Sequence, residues 1–188
     1  MNFDKFRSIF KKFLELGTLK KFFITYFACW GGFLSTIVVG KFLSKVGFNY
    51  YSAVFSYFIN NSLACISIIL AFILVSYLYK KEISSGKSTI REYLNSLIIF
   101  YLLVIINPLT GILGVDLNFS DLGVLIPHGI FEFAGLAFSI VLGLEYAIYN
   151  LPLDETIYTY AKNNGMPVLE TIIMAYGNLI SHFLGKII

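Results

Sequence analysis

The sequence predicts an all-α membrane protein: a polytopic helical bundle of about five transmembrane helices, preceded by an N-terminal amphipathic interfacial helix. Of its 188 residues, 57% are hydrophobic and 13% are charged, whereas an ordinary soluble domain carries about 25% charged residues. The mean hydropathy is +0.78. Because 14 basic and 11 acidic side chains are too few to cover the surface of a water-soluble domain of this size, lipid is the predicted main solvent.

Residues 1–20 form the first predicted element, the amphipathic helix in the membrane interface. Its large apolar side chains recur every three or four residues, and Lys5 and Lys12 lie on the opposite side. A helix of this kind turns its basic face toward anionic lipid headgroups. It either anchors the first membrane span or binds a partner. The apolar positions are Phe3, Phe6, Phe10, Phe13 and Leu14.

Residues 21–188 form the second predicted unit, a single transmembrane helical domain. A helix needs about 20 apolar residues to cross the hydrocarbon core of a bilayer. The second apolar stretch is longer than one crossing requires, so its entry point is open by up to about a dozen residues. A short capped helix over 154–162 is expected before the last span. The five predicted spans are 22–40, 46–79, 93–115, 122–150 and 168–188.

The distribution of Lys and Arg predicts the orientation in the membrane. With a cytoplasmic N-terminus, eleven basic residues face the cytoplasm and three, Lys41, Lys45 and Lys186, face outward. Cytoplasmic loops carry an excess of Lys and Arg. The sequence therefore predicts a multi-pass protein of the cell membrane, with its N-terminus inside the cell and its C-terminus outside.

The fourth predicted span holds polar residues where lipid is expected. His128 and Glu132 are four residues apart and share one helix face. Gly135, Ser139 and Gly143 continue the same stripe, and small residues allow a second helix to approach closely. This stripe is therefore a predicted packing face, and the His–Glu pair is expected to face protein rather than lipid.

Two other residues of this span carry separate expectations. Pro127 has no N–H group to donate, which favours a bend or a helix start at that point. Glu145 lies about 120° away from the stripe, counting about 100° per residue. It is close to the inner boundary of the span, where its carboxylate is expected to reach water.

Polar residues of three other spans fall at a depth similar to that of His128 and Glu132. A rise of about 1.5 Å per residue places His128 about 9 Å below the outer boundary. Four helices can therefore supply polar groups to one level in the outer half of the membrane. The additional binding candidates are Asn60 and Asn61 in the second span, Asn107 in the third, and Asn178 and His182 in the fifth.

Three interpretations of this polar site remain open on sequence alone. The polar groups could form interhelical hydrogen bonds, each of which stabilises the bundle by about 0.6 kcal/mol. They could line a cavity for an ion, a solute or a lipid headgroup, because buried ionisable residues mark such pathways. They could also form a metal-dependent hydrolytic centre, with His182 as a third ligand to complement His128 and Glu132. The last is the weakest, because the sequence has neither His-Glu-x-x-His nor a nucleophile elbow, so no metal and no cofactor are predicted.

The cysteines and the charge pattern limit the other partners. Cys29 and Cys65 lie within apolar runs, where a thiol behaves as a small hydrophobic group, and no disulfide is expected. The net charge is only +3, and the basic residues do not alternate with aromatic ones in a polar segment, so nucleic acid is not an expected partner. The lipid bilayer, further copies of the chain and other membrane proteins are the expected partners.

Residues 125–133, with the core Pro127, His128, Gly129 and Glu132, resemble the signature of the stage II sporulation protein M family. The similarity covers roughly residues 60–143 and includes Asn60 with Asn61 and Asn107 with Gly111. Members often continue with Leu-Pro-Ala after the Glu, whereas this chain has Phe133, Ala134 and Gly135. The resemblance implies a small multi-spanning helical protein, in which His128, Glu132 and Asn107 act as one unit. The founding member looks like a membrane scaffold for a peptidoglycan-degrading machine, whereas most relatives have no settled activity, so the resemblance does not say what this unit does.

The function that the sequence favours is therefore a non-enzymatic membrane scaffold or complex component with a buried His/Glu/Asn polar site. The alternative is a small permease or channel that uses His128 and Glu132 to bind or relay. A permease requires a water-connected cavity that reaches Glu132 from one side, whereas a scaffold keeps that space filled by side chains.

Overall fold

The computed structural model describes residues 3–43, 46–47, 54–106, 115–116, 119–151 and 153, and within these ranges the regular secondary structure is helical apart from two strands of two residues each. The strands, β1 (Val46–Gly47) and β2 (Val115–Asp116), pair in parallel with Val46 opposite Val115. The helices are α1 (Phe3–Leu14), α2 (Thr18–Leu43), α3 (Val54–Ser84), α4 (Ile90–Ile106) and α5 (Phe119–Asn150).

The all-helical architecture predicted from composition and hydropathy is confirmed for this part of the chain. Helices α2 to α5 coincide with the first four predicted spans, and α1 lies within the predicted amphipathic segment. Helix α3 begins at Val54, near the late end of the range that the sequence left open for the second span. The predicted helix over 154–162 and the predicted span over 168–188 lie outside the described residues.

Within the part of the chain that the structure describes, two segments are long and apolar enough to cross a membrane. They are Asn61–Ser84 of α3, with a mean hydropathy of 2.3, and Gly129–Asn150 of α5, with a mean hydropathy of 1.6. Their surroundings differ, because 11% of the apolar window is buried in α3 and 61% in α5. Helix α5 is therefore the central helix, and α3 turns most of its apolar surface outward.

Large apolar side chains are also exposed on α2 and α4. Folding in water removes most such side chains from solvent, and contiguous exposed apolar surface marks contact with a membrane or another protein. The exposed apolar side chains therefore form a flank that spans several helices. They include Phe23 and Phe27 on α2, Leu63, Ile66, Leu70 and Leu74 on α3, and Ile99, Leu102 and Leu103 on α4.

Helix α5 packs mainly against α3 and α2. At Gly143 the approach of α3 is so close that a built Cβ atom would lie 2.7 Å from Cδ2 and 3.1 Å from Cβ of Phe72. Only a residue without a side chain fits there. The helix also begins at Phe119 and continues through Pro127, so the alternative of a helix start at Pro127 is wrong.

Helix α1 packs against the bundle through its apolar face. Phe10 and Leu14 are buried, and the rings of Phe10 and Phe13 lie 5.5 and 5.3 Å from the ring of Tyr101 on α4. The period of about 3.6 residues that brings these side chains to one face thus serves protein packing, and the basic side chains remain at the outside and edges of α1.

Replacing Gly143 by Ala should destabilise the protein, because the added methyl group would displace Phe72 and with it α3. Overpacking of this kind costs about 1–3 kcal/mol, which should lower the thermal unfolding midpoint of the purified protein in detergent. Gly135→Ala is the matched control on the same helix, since its Cβ would meet Sγ of Cys65 at an ordinary 3.8 Å. Equal unfolding midpoints for the two variants would contradict the close α3–α5 contact.

Candidate functional site

The predicted His–Glu site lies on the first half of α5. Glu132 is half-buried and takes part in an interaction within the protein. His128 belongs to the same helix, but its side chain is outside the described part of the structure. Asn61, near the start of α3, is half-buried. The structure therefore describes two of the seven predicted binding side chains. That all seven lie at one depth in the membrane stays a prediction.

The other five predicted binding residues cannot be located with their side chains. Asn60 is part of α3, but its side chain is outside the described set. Asn107, Asn178 and His182 fall in the ranges 107–114 and 154–188, which also lie outside it.

An aromatic cluster packs between α2 and α5 at Phe133, the residue that follows Glu132 in the sequence. The ring of Trp30 on α2 meets that of Phe133 edge to face, with 4.9 Å between centroids. Phe33 completes the cluster at 5.5 Å from Phe133 and 5.7 Å from Trp30. Edge-to-face pairs at these distances are favourable beyond their burial alone. On the neighbouring turn, a Cβ atom at Gly129 would lie 3.1 Å from Cη2 of Trp30, so glycine lets this ring lie against the backbone of α5.

The small-residue stripe of α5 contacts α3 at two of its three positions. Gly143 lies against Phe72, and Gly135 is near Cys65. Ser139 is buried, and its hydroxyl donates to the carbonyl oxygen of Gly135 at 2.9 Å. A serine that returns its hydroxyl to its own helix leaves no unsatisfied polar group at a tight helix contact.

The best-defined polar site in the structure is one that sequence reasoning missed. Near the C-terminal end of α5, Oε1 of Glu145 accepts hydrogen bonds from Nζ of Lys21 at 3.1 Å and from Oγ1 of Thr18 at 2.8 Å. Lys21 and Glu145 are 1% and 3% exposed. The expectation that Glu145 reaches water is therefore wrong, because the start of α2 covers its carboxylate.

The positions of the three residues follow from antiparallel packing. Helix α2 contributes Thr18 and Lys21 from one face of its first turn, since residues three apart in a helix are neighbours. The end of α5 lies beside that turn, which brings Glu145 to both. A predicted cytoplasmic N-terminus already implied that the start of the first span and the end of the fourth share one side of the membrane. The sequence alone did not show that α2 and α5 are adjacent.

The hydrogen bonds of the Lys21–Glu145 pair offset only part of the cost of burying its two charges. Within the described residues, the second carboxylate oxygen of Glu145, Oε2, has no hydrogen-bond partner. Transfer of a carboxylate and an ammonium group from water to a protein interior is costly, and removal of one partner of such a pair typically costs 3–5 kcal/mol. Each charge therefore depends on the other, and the pair ties α2 to α5.

Further buried hydrogen bonds join the helices in the same part of the bundle. Oγ1 of Thr25 on α2 and the hydroxyl of Tyr101 on α4 are 3.0 Å apart. The hydroxyl of Tyr93 on α4 donates to the carbonyl oxygen of Ala147 on α5 at 2.8 Å. Buried polar groups of this kind are satisfied by specific partners, so these bonds fix the relative positions of α2, α4 and α5.

The described side chains contain no cluster of three or more His, Cys, Asp or Glu residues that could hold a metal ion. Cys29 and Cys65 are free thiols. His128 and His182, two predicted ligands of the hydrolase alternative, lie outside the described side chains.

A comparison with known proteins gives one informative match. The chain is 32% identical to the uncharacterized protein MJ0096 of the archaeon Methanocaldococcus jannaschii, and the alignment covers 97% of this chain and 98% of the relative. The chain belongs to the family of that protein. The alignment runs over 257 positions, more than this chain contains, so the relative has residues that this chain lacks. No family model matches the chain, and no solved structure matches it.

Replacement of one member of the ion pair should destabilise the protein much more than replacement of both. Lys21→Met or Glu145→Leu leaves one buried charge without its partner and should cost about 3–5 kcal/mol. The combined Lys21→Met, Glu145→Leu variant removes both charges and should recover most of that loss. The free energies are to be compared by unfolding in detergent of constant composition.

The control for this cycle is Lys20→Met, which removes a neighbouring exposed ammonium group and should change stability by less than about 0.5 kcal/mol. Additive effects of Lys21→Met and Glu145→Leu in the double variant would contradict a direct interaction between the two side chains.

Proposed function

We propose that this chain is a multi-pass integral membrane protein that acts as a non-enzymatic scaffold or complex component. In this proposal α2 to α5 cross the membrane, a fifth span follows in residues 168–188, and α1 lies at the cytoplasmic surface. The N-terminus is inside the cell and the C-terminus is outside. Further copies of the chain or other membrane proteins assemble on its apolar flanks.

The separation of apolar and charged surface supports the membrane part of the proposal. Exposed charges such as Lys12, Lys20, Lys81 and Arg91 lie on α1 or at the helix ends near it, whereas exposed apolar side chains such as Phe27, Leu70 and Leu102 lie further along α2, α3 and α4. Lys and Arg accumulate at the cytoplasmic ends of membrane spans. The helix ends near α1 are therefore the cytoplasmic ends in this proposal.

The observation that carries the scaffold function is the aromatic cluster of Trp30, Phe33 and Phe133, which packs α2 against α5 at the residue that follows Glu132 in the sequence. A permease that uses Glu132 requires a path for water or solute along the helices next to it. The space between α2 and α5 is instead filled by three rings in close contact. A packed interior and large outward-facing apolar flanks suit a protein whose task is to hold other membrane components.

The resemblance to the stage II sporulation protein M family supports the same function. That family's signature corresponds to Pro127, His128, Gly129 and Glu132, and its founding member looks like a membrane scaffold. In this chain Gly129 accommodates Trp30, so the signature glycine serves packing between α2 and α5. We propose that Glu132 and His128 stabilise this packing rather than transport a substrate.

The permease alternative is tested by flux across liposomes that contain the purified protein. We expect no protein-dependent proton or cation flux, and the same background for Glu132→Gln as for the unaltered chain, because the proposed scaffold has no conducting path past Glu132. Phe133→Ala opens the space between α2 and α5 and serves as a second variant. A flux of the unaltered protein that Glu132→Gln abolishes would contradict the scaffold proposal.

The assembly proposal is tested by photo-crosslinking in native membranes. A benzophenone side chain at Leu70 on the exposed flank of α3, 58% exposed, should form discrete crosslinks to another polypeptide, identified by mass spectrometry. The same group at buried Phe72 is the control and should crosslink only within the chain. If positions along the flank, including Leu63, Leu70 and Leu74, crosslink to lipid alone, the chain does not assemble through α3.

A further inference from the structure

Among the residues that the structure describes, a charged groove lies between α1 and the start of α4, away from the candidate site on α5. Its volume is about 540 Å³. Both walls are helical, and the groove opens to the outside of the bundle at the end where charged residues accumulate. It is lined by Arg7, Ser8, Lys11, Lys12 and Glu15 of α1 and by Ile90, Arg91 and Leu94 of α4.

The groove has an excess of positive charge. Four basic side chains line it against the single acidic Glu15. Asp4 lies beside it and accepts a hydrogen bond from Nη2 of Arg91 at 3.1 Å, and it also pairs with Arg7. Counting both carboxylates, a net charge of +2 remains. Such a concentration of positive charge attracts an anionic group.

The basic groups are held in place before any ligand binds. Nη1 of Arg7 donates to Oδ1 of Asn95 on α4 at 3.1 Å, which links the two walls of the groove. Phe10 and Leu14 bury the opposite face of α1 against the bundle. Because α1 is docked on its apolar side and bridged on its polar side, little ordering is required on binding, which favours affinity.

Ile90 and Leu94 form the apolar part of the groove wall, and α4 exposes more apolar side chains further along its length. Leu94 is 3% exposed and Ile90 is 36% exposed. About one and a half turns further along the helix, Ile99, Leu102 and Leu103 begin the exposed apolar flank. A ligand that fits both parts has an anionic head and an apolar tail.

We propose that this groove binds the phosphate group of an anionic phospholipid, with its acyl chains along the apolar flank of α4. Lys12 and Arg91, both exposed, contact the phosphate, and Leu94 contacts the glycerol and upper acyl region. This inference rests on the membrane location proposed above but is independent of the choice between scaffold and permease. The apolar wall would contribute nothing to the binding of a free phosphate ion.

Native mass spectrometry of the full-length chain in detergent tests the proposal. The protein is titrated with phosphatidylglycerol, with phosphatidylcholine of the same acyl chains, and with inorganic phosphate. Each basic residue near an anionic lipid contributes about a factor of five in affinity. The Lys12→Gln, Arg91→Gln variant should therefore bind phosphatidylglycerol about twenty-fold more weakly than the unaltered protein.

The charge-matched control is Lys81→Gln, Lys87→Gln, which removes two exposed basic residues outside the groove and should leave phosphatidylglycerol binding within two-fold. Unfolding midpoints of both variants are compared with that of the unaltered chain, so that loss of binding is separated from loss of fold. If the Lys12 and Arg91 substitutions unfold the protein, the milder Arg91→Lys and Lys12→Arg changes, which keep the charge, should retain the preference for phosphatidylglycerol.

Three results would overturn the proposal: equal binding of phosphatidylglycerol and phosphatidylcholine, equal losses in the two charge variants, or displacement of phosphatidylglycerol by equimolar inorganic phosphate, which would identify a free phosphate as the ligand. Retention of the chain in carbonate-washed membranes is measured first. Release by carbonate would refute the proposed membrane insertion, whereas retention without a lipid preference would refute the groove proposal alone.

Discussion

The position of α5 in the bundle depends on one buried ion pair and one close backbone contact. Glu145 holds Lys21 and Thr18 of α2, while Gly143, two residues earlier, admits Phe72 of α3. An unpaired charge in an apolar interior is far more costly than a paired one, so α2 and α5 separate only with a large loss of stability. Both neighbours of α5 are thus fixed within one turn of its C-terminal half.

The two halves of α5 differ in the chemistry of their contacts. Its C-terminal half joins α2 and α4 through charges and hydrogen bonds that involve Glu145 and Ala147. Its N-terminal half, which carries His128 and Glu132, meets α2 through the rings of Trp30 and Phe133. Hydrogen bonds fix helix register because they require specific partners, whereas ring packing fills space. This division suits a rigid carrier of outward-facing apolar surface.

Much of the helical organisation could be predicted from sequence, whereas little of the candidate site could. Three charge-free stretches and one apolar stretch that holds Glu132 and Glu145 predicted α2 to α5, since hydropathy and length are local properties. Two of the seven predicted binding side chains, Glu132 and Asn61, fall among those described. Glu145 was expected to reach water because an acid near the end of a span does so by default. The position of Glu145 in the sequence does not show which helix packs against its side chain.

By itself, the sequence determined the helical class, the approximate extent of four helices, and the amphipathic character of α1, because each depends on the spacing of apolar residues along one segment. Only the tertiary structure decided that Lys21 pairs with Glu145, that α3 exposes more of its apolar surface than α5, and that α1 and α4 enclose a basic groove. These features depend on which helices are neighbours. Helix adjacency is a long-range property of packing. The hydrophobic pattern of a single helix shows that one face is buried, but it does not identify the element that covers this face.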